Sequence, residues 1–141
     1  MPLIIWEDPG KKTVNKDLYS NEAEKLAKTV WEEYKGSREK HNKPAQIRKF
    51  YDELLRYKDL IKGDSQNFQK FLPFIRMIKA KSAYSYGRDL IGQNFKNILD
   101  EGIDYASKSL EALNAFINFF EAFLGYYKFY IEAEKLNRRS S

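Results

Sequence analysis

Between Phe116 and Tyr130 the chain carries eight aromatic side chains: Phe116, Phe119, Phe120, Phe123, Tyr126, Tyr127, Phe129 and Tyr130. They fall within one predicted helix, about Ser109 to Leu136, which at 1.5 Å per residue would be roughly 40 Å long. A helix aromatic over so wide an arc must be covered on several sides. It is therefore the central staff of a bundle, or it also meets another chain. Phe116, Phe120 and Phe123 are assigned to the core, whereas part of Tyr126 to Tyr130 exceeds what one small domain buries.

The rest of the sequence supplies the cover. Asn21 and Glu24 have capping-box spacing and Gly36 sits where a helix stops, which predicts a first helix from about Ser20 or Asn21 to Tyr34. Its Ala23, Leu26, Ala27, Val30, Trp31 and Tyr34 form one apolar stripe. Pro44 suits the first turn of a second helix, which runs to Lys62, ends at Gly63 and buries Ile47, Phe50, Tyr51, Leu54 and Ile61. Ser65 is expected to cap a third, with Phe71, Phe74, Ile75 and Ile78 inward; Pro73 either kinks it or resets its start. A fourth, about Asp89 to Ala106, buries Leu90, Ile91, Phe95, Ile98, Leu99 and Ile103.

No strand alternation, internal repeat or heptad run is present. The predicted fold is all-α, a bundle of roughly five helices with a long aromatic-rich C-terminal helix, in one domain spanning residues 1–141. Residues 20–136 form the bundle and residues 1–14 an irregular arm. In the arm, apolar Leu3–Trp6 precedes a turn at Asp8-Pro9-Gly10. Two readings of the arm stand open: it tucks Trp6 into the domain, or it docks into a neighbouring subunit.

Catalytic equipment is sparse. Cysteine is absent, which removes disulfides, thiol chemistry and Cys-ligated zinc. His41 is the only histidine, so a two-histidine metal site and a histidine acid–base pair are excluded. Arg38-x-x-His41 is too short for the Arg-x4-6-His motif of helical HEPN ribonucleases, and it falls in a linker. Asp100, Glu101 and Asp104 could gather on one helix face around a hard cation, but such residues are more often a solvated surface. No phosphate-cradling glycine loop occurs. The expectation is a protein that is not an enzyme and uses no cofactor or metal. The start lacks a basic, long apolar leader and no apolar run nears the roughly 20 residues of a membrane-spanning helix, so a cytoplasmic location is expected.

Charge is the informative signal. The net of +5 divides unevenly: Lys35 to Arg88 holds 14 Lys/Arg against five Asp/Glu, a local +9, leaving −4 for the remainder. A polyanion is the natural partner for that middle, a solvated and salt-bridged face the bland alternative. From Ser65 to Arg88 five cations, Lys70, Arg76, Lys79, Lys81 and Arg88, have no carboxylate in the segment to pair with. Helix two carries less weight, because Arg48–Asp52 and Arg56–Asp59 are spaced for internal ion pairs. On a helical wheel Arg76 and Lys79 flank the apolar face, and Lys81, Tyr84 and Arg88 gather on the other flank. Tyr84 or Tyr86 offers a ring for base stacking, or else packs against helix two or five.

Three stretches together resemble the small subunit of type III-A CRISPR–Cas effector (Csm) complexes. They are Gln-Ile-Arg-Lys-Phe-Tyr-Asp-Glu-Leu (46–54), Leu-Pro-Phe-Ile-Arg-Met-Ile-Lys-Ala-Lys-Ser-Ala-Tyr-Ser-Tyr-Gly-Arg (72–88) and Phe-Ile-Asn-Phe-Phe-Glu-Ala-Phe-Leu-Gly-Tyr-Tyr-Lys (116–128). Each alone is an ordinary amphipathic helix; their order and spacing carry the likeness, which runs from near Ala45 to Tyr130.

The resemblance implies a five-helix protein present in several copies, forming an inner filament beside the repeating backbone subunits. It implies sequence-tolerant contact with crRNA and target RNA, association with other Csm subunits, self-association into dimers or a short filament, and no nuclease activity. Target cleavage in that family belongs to the backbone subunits, and the signalling and DNase activities to the large subunit. The RNA-binding candidates it marks are Arg48, Lys49, Arg76, Lys79, Lys81, Tyr84 and Arg88. Phe119, Phe120, Glu121, Tyr127 and Lys128 match its third stretch as packing residues. The alternative function is a purely structural helical adaptor whose cations meet acidic protein neighbours and touch no RNA.

Overall fold

The computed structural model describes residues 3–11 and 13–140, with Ser140 by its backbone alone. Met1, Pro2 and Lys12 of the expected arm lie outside the described residues. Helix formation begins with a π-helical turn, Leu18–Glu22, which runs into α1 (Ala23–Gly36). The expected capping box does not form, and no side chain caps either segment. The Ser20 and Glu22 N–H groups reach the Asp17 carbonyl at 3.2 and 3.0 Å. With those donors satisfied by backbone, an Asn21 side chain has little left to cap.

Lys43 is extended (ψ 140) ahead of Pro44, as a proline ring requires of its predecessor, and α2 (Pro44–Ile61) follows. Two left-handed residues end it, Lys62 (φ 53) and Gly63 (φ 72). Asp64, in place of the expected Ser65, caps α3 (Ser65–Arg76), its carboxylate accepting the Gln66 and Asn67 N–H groups at 2.7 and 3.3 Å. Pro73 lies inside α3, and the break comes one turn later at Met77, before α4 (Ile78–Gly87). Together α3 and α4 make one bent rod. The next helix, α5 (Gln93–Ala106), starts four residues later than predicted, because Asp89 turns left-handed (φ 65). In α6 (Leu110–Ser140) the Ser109 hydroxyl accepts the Ala112 N–H at 3.0 Å.

The fold is all-α with a long C-terminal helix that carries the aromatic cluster. Helix α6 packs on α1, α5 and α2, and α3 and α4 form an outer layer on α2 and α5. Phe116, Phe119, Phe120, Phe123 and Tyr127 are buried, with Tyr51 5.4 Å and Phe95 6.3 Å from Phe120, centroid to centroid. Tyr126 and Tyr130 are half-buried and Phe129 is exposed, so one flank of the staff is open. Among the described residues no helix is long and apolar enough to cross a membrane.

Contact between α5 and α6 depends on Gly102. A Cβ built there would lie 2.2 Å from Phe116 Cε1 and 2.4 Å from its Cζ. Gly102→Ala is expected to cost about 1–3 kcal/mol through overpacking, read as a lower urea midpoint at unchanged m-value.

The arm lies on the same seam. Ile4 and Trp6 are buried, and the Trp6 ring stacks on Tyr105 at 4.6 Å and meets Phe116 and Phe119 edge-on. Glu101 holds the start of the arm, its two oxygens accepting the Leu3 and Ile4 N–H groups at 2.8 Å each. Burial, with Glu7 close by, pushes the Tyr105 phenol up to about 12.

A polar clasp joins four segments at Asn42, which is fully buried and left-handed (φ 65). Its amide nitrogen donates to the Val30 carbonyl and Glu33 of α1, and its amide oxygen accepts the Gly92 N–H at 2.8 Å. Its carbonyl accepts the Tyr127 hydroxyl of α6 at 2.6 Å, and burial drives that phenol far above its ordinary value. The Glu33 carboxylate also accepts the Asn94 and Phe95 N–H groups, so α5 is capped by a residue of α1.

Candidate nucleic-acid interface

Because α4 packs chiefly on α5, with α3 at its start, only a narrow stripe of it is buried. Ile78, Ser82 and Ser85, spaced four and three apart, fill that stripe. Its remaining faces, and the end of α3, look outward. Arg76, Met77, Lys81, Tyr84, Tyr86 and Arg88 are all exposed, Tyr84 at 63% and Tyr86 at 42%. The alternative of both tyrosines packing against α2 or the C-terminal helix α6 is thereby overturned. Phe74, expected in the core, is 47% exposed, because it lies off the inward stripe of Phe68, Phe71, Leu72 and Ile75 on α3; Leu90 is only half-buried.

The seven candidates do not form one surface. Lys81, Tyr84 and Arg88 share the flank of α4 nearest α2. There the Arg88 guanidinium donates to the Tyr84 hydroxyl at 2.9 Å and sits 5.6 Å from the ring centroid. That brace fixes the ring at low entropic cost. Lys79 lies on the other flank, beyond the break that separates it from Arg76. Lys49 is exposed on α2, on the same face as Glu53 four residues on. Arg48 points elsewhere: it lines a groove against α6 and lies 3.7 Å from Asp52.

The expectation that the segment's cations lack carboxylate partners fails for two of them. Lys79 Nζ meets Asp104 of α5 at 2.8 Å, and Lys81 Nζ meets both Glu53 oxygens of α2 at 2.8 and 2.9 Å. Lys70 lies over the Phe71 ring, 5.8 Å from its centroid. Arg76 has no ion-pair partner among the described residues. The expected Arg56–Asp59 pair is not formed either, and Arg56 lies over Tyr57 instead. The Lys79–Asp104 pair is solvent-exposed and worth at most about 1 kcal/mol, so phosphate can displace that carboxylate at small cost, whereas Glu53 is only 19% exposed and holds the exposed Lys81 through both oxygens.

The acidic residues considered for a cation are each committed elsewhere. Asp100 takes Lys96 at 2.7 Å, Glu101 holds the arm, and Asp104 takes Lys79. His41 lies in the 37–43 connection, its Nε2 2.5 Å from Asp89. Lys40 also reaches Asp89, and the hydrogen bonds from Lys40 and then His41 hold its carboxyl below the ordinary carboxylate value. A carboxyl lowered on folding contributes stability above its unfolded pKa, which is lost only as pH falls through the lower folded value. The Lys40 and His41 contacts that tie the 37–43 connection to Asp89 therefore persist into mild acid.

Sequence reasoning missed Glu53 and Asp104 as lysine partners and the exposure of Phe74. Helix packing sets all three, and no local pattern marks them. No curated protein and no solved structure matches the chain. The family model for Csm2 Type III-A matches residues 15–133, which takes in all of α1 to α5 and most of α6 and leaves out the arm. With most of its length matched, the chain belongs to the type III-A Csm2 family.

Proposed function

We propose that this Csm subunit grips the sugar–phosphate backbone of crRNA and target RNA on the outer face of α3–α4, without reading sequence, and so helps hold the effector together. Family membership makes the chain a structural subunit of the Csm complex in CRISPR defence, assembled with other Csm subunits. The RNA contact, the lack of nuclease activity, self-association and a cytoplasmic location belong to the proposal. The observation that carries it is the exposed flank of α4 where Lys81 and Arg88 stand beside the exposed Tyr84 ring, which Arg88 braces. Cations set affinity for phosphate, and a braced ring stacks any base, so neither discriminates sequence.

The test is binding of two unrelated single-stranded RNAs over a salt series. Neutralising about four phosphates gives a log–log slope near −3. A flat dependence, or strong preference for one RNA, would reject the mechanism. Arg76→Ala with Arg88→Ala should weaken both RNAs alike and flatten the slope by about 1.4, two phosphates' worth, at unchanged Tm. Glu53→Gln and Asp104→Asn release Lys81 and Lys79, and each is expected to tighten RNA about two- to fivefold at low salt.

Exposed Phe74 and Met77 among these cations favour a second reading, a protein adaptor. It predicts a chain retained in the assembled complex yet without affinity for free RNA.

A further inference from the structure

The first turn of α2 and the outer half of α6 enclose a groove of about 380 Å³, within the roughly 300–1,000 Å³ of ordinary ligand clefts. Its floor is aliphatic: Leu124 and Ile131 of α6 beside Pro44 and Ala45 of α2. Its rim is basic. Arg48, Lys128 and Lys135 stand there with one carboxylate, Glu132, 3.6 Å from Lys135. Arg48 and Lys135 are 63% and 57% exposed, and Lys128 is exposed with no ion-pair partner among the described residues. The N-terminal end of α2 adds partial positive charge.

We propose that this groove docks an acidic amphipathic helix from a different subunit of the Csm complex. Membership of the family supplies protein neighbours, and the chemistry of the groove specifies which surface of a neighbour fits. Arg48 and Lys135 have only exposed partners, Asp52 and Glu132, and Lys128 has no ion-pair partner among the described residues, so the rim calls for acidic residues along the partner's flanks. An aliphatic floor calls for aliphatic anchors. Leu124 and Ile131 are seven residues apart on one helix, about 10 Å, which a partner helix spans with side chains at i, i+3 or i+4, and i+7.

Nucleic acid fits this floor poorly. Its one ring, Tyr127, is 2% exposed and its hydroxyl is spent on the Asn42 carbonyl, so no face is open for a base to stack on. The α3–α4 face of a second copy fits poorly as well. On the outer face of α3–α4 the exposed apolar residues Phe74, Met77 and Tyr84 stand among Arg76, Lys81 and Arg88. That face would bring like charge to the rim.

The experiment uses the assembled Csm complex and a water-soluble carbodiimide, which joins lysine amines to carboxylates within ion-pair distance. The expected result is a link from Lys128 or Lys135 to an Asp or Glu of a different subunit. Lys128→Glu with Lys135→Glu should keep its Tm and enter the complex at least tenfold less. Three results would overturn the proposal. One is a complex yielding only the internal Lys135–Glu132 link. Another is a link to a second copy of this chain, which would assign the groove to self-association. The third is a hydroxyl-radical footprint in which free RNA alone protects Leu124 and Ile131. The RNA salt series is read on the free chain, so the two proposals fail separately.

Discussion

Asn42→Ala is expected to remove about 3–5 kcal/mol of stability and lower Tm by roughly 10–20 °C. The side chain is fully buried and closes a network that reaches α1, the turn before α5 and, through its carbonyl, α6. Truncation strands the Gly92 N–H and removes a donor from Glu33, at about 1–3 kcal/mol for each buried group left without a partner. The left-handed backbone (φ 65) adds about 1 kcal/mol for alanine. Asn42→Gly separates these causes, because it loses the same bonds without the strain. It should be about 1 kcal/mol more stable than the alanine variant. Equal stabilities in urea titration would show that the conformation contributes nothing.

The second large effect belongs to the arm. Trp6→Ala should cost about 3–5 kcal/mol, the range for deleting a buried aromatic. Trp6 is 9% exposed and lies against three rings, Tyr105, Phe116 and Phe119. A docking arm free of its own bundle would lose less than about 0.5 kcal/mol, as surface substitutions do. Because the family match begins at residue 15, a large loss would also show that this chain's stability draws on residues outside the shared region. Thermal unfolding of the full chain separates the two outcomes.

These cases show which features are legible in a sequence of this kind. Helix number and inward faces are, because apolar residues at spacings of three and four announce them; Ile47, Phe50, Tyr51, Leu54 and Ile61 of α2 are all buried. Helix starts are less so. Asn21 and Ser65 have the right chemistry for caps, yet backbone from Asp17 and the side chain of Asp64 do the capping, and α5 is capped by Glu33 some 60 residues upstream. Asn42 reads as linker polarity, since nothing local marks a polar residue for burial. Its one signal is the tolerance of asparagine for left-handed backbone.

Charge pairing is hidden from local sequence in the same way. Counting within residues 65–88 finds the cations but not Glu53 or Asp104, which belong to helices brought alongside by packing. What survives is the open face itself, with Arg76 and the Arg88–Tyr84 pair on it. Arg48, grouped with the others by sequence, lines a different groove.

The account turns on RNA lying along α3–α4 in the working complex. Cross-linking with 4-thiouridine placed through the guide and target RNAs of the assembled complex, followed by peptide mapping, reads that contact directly. Adducts are predicted on residues 77–88, centred on Tyr84 and Tyr86, with the same pattern for two unrelated guides. Adducts on other subunits with none on this segment would contradict it.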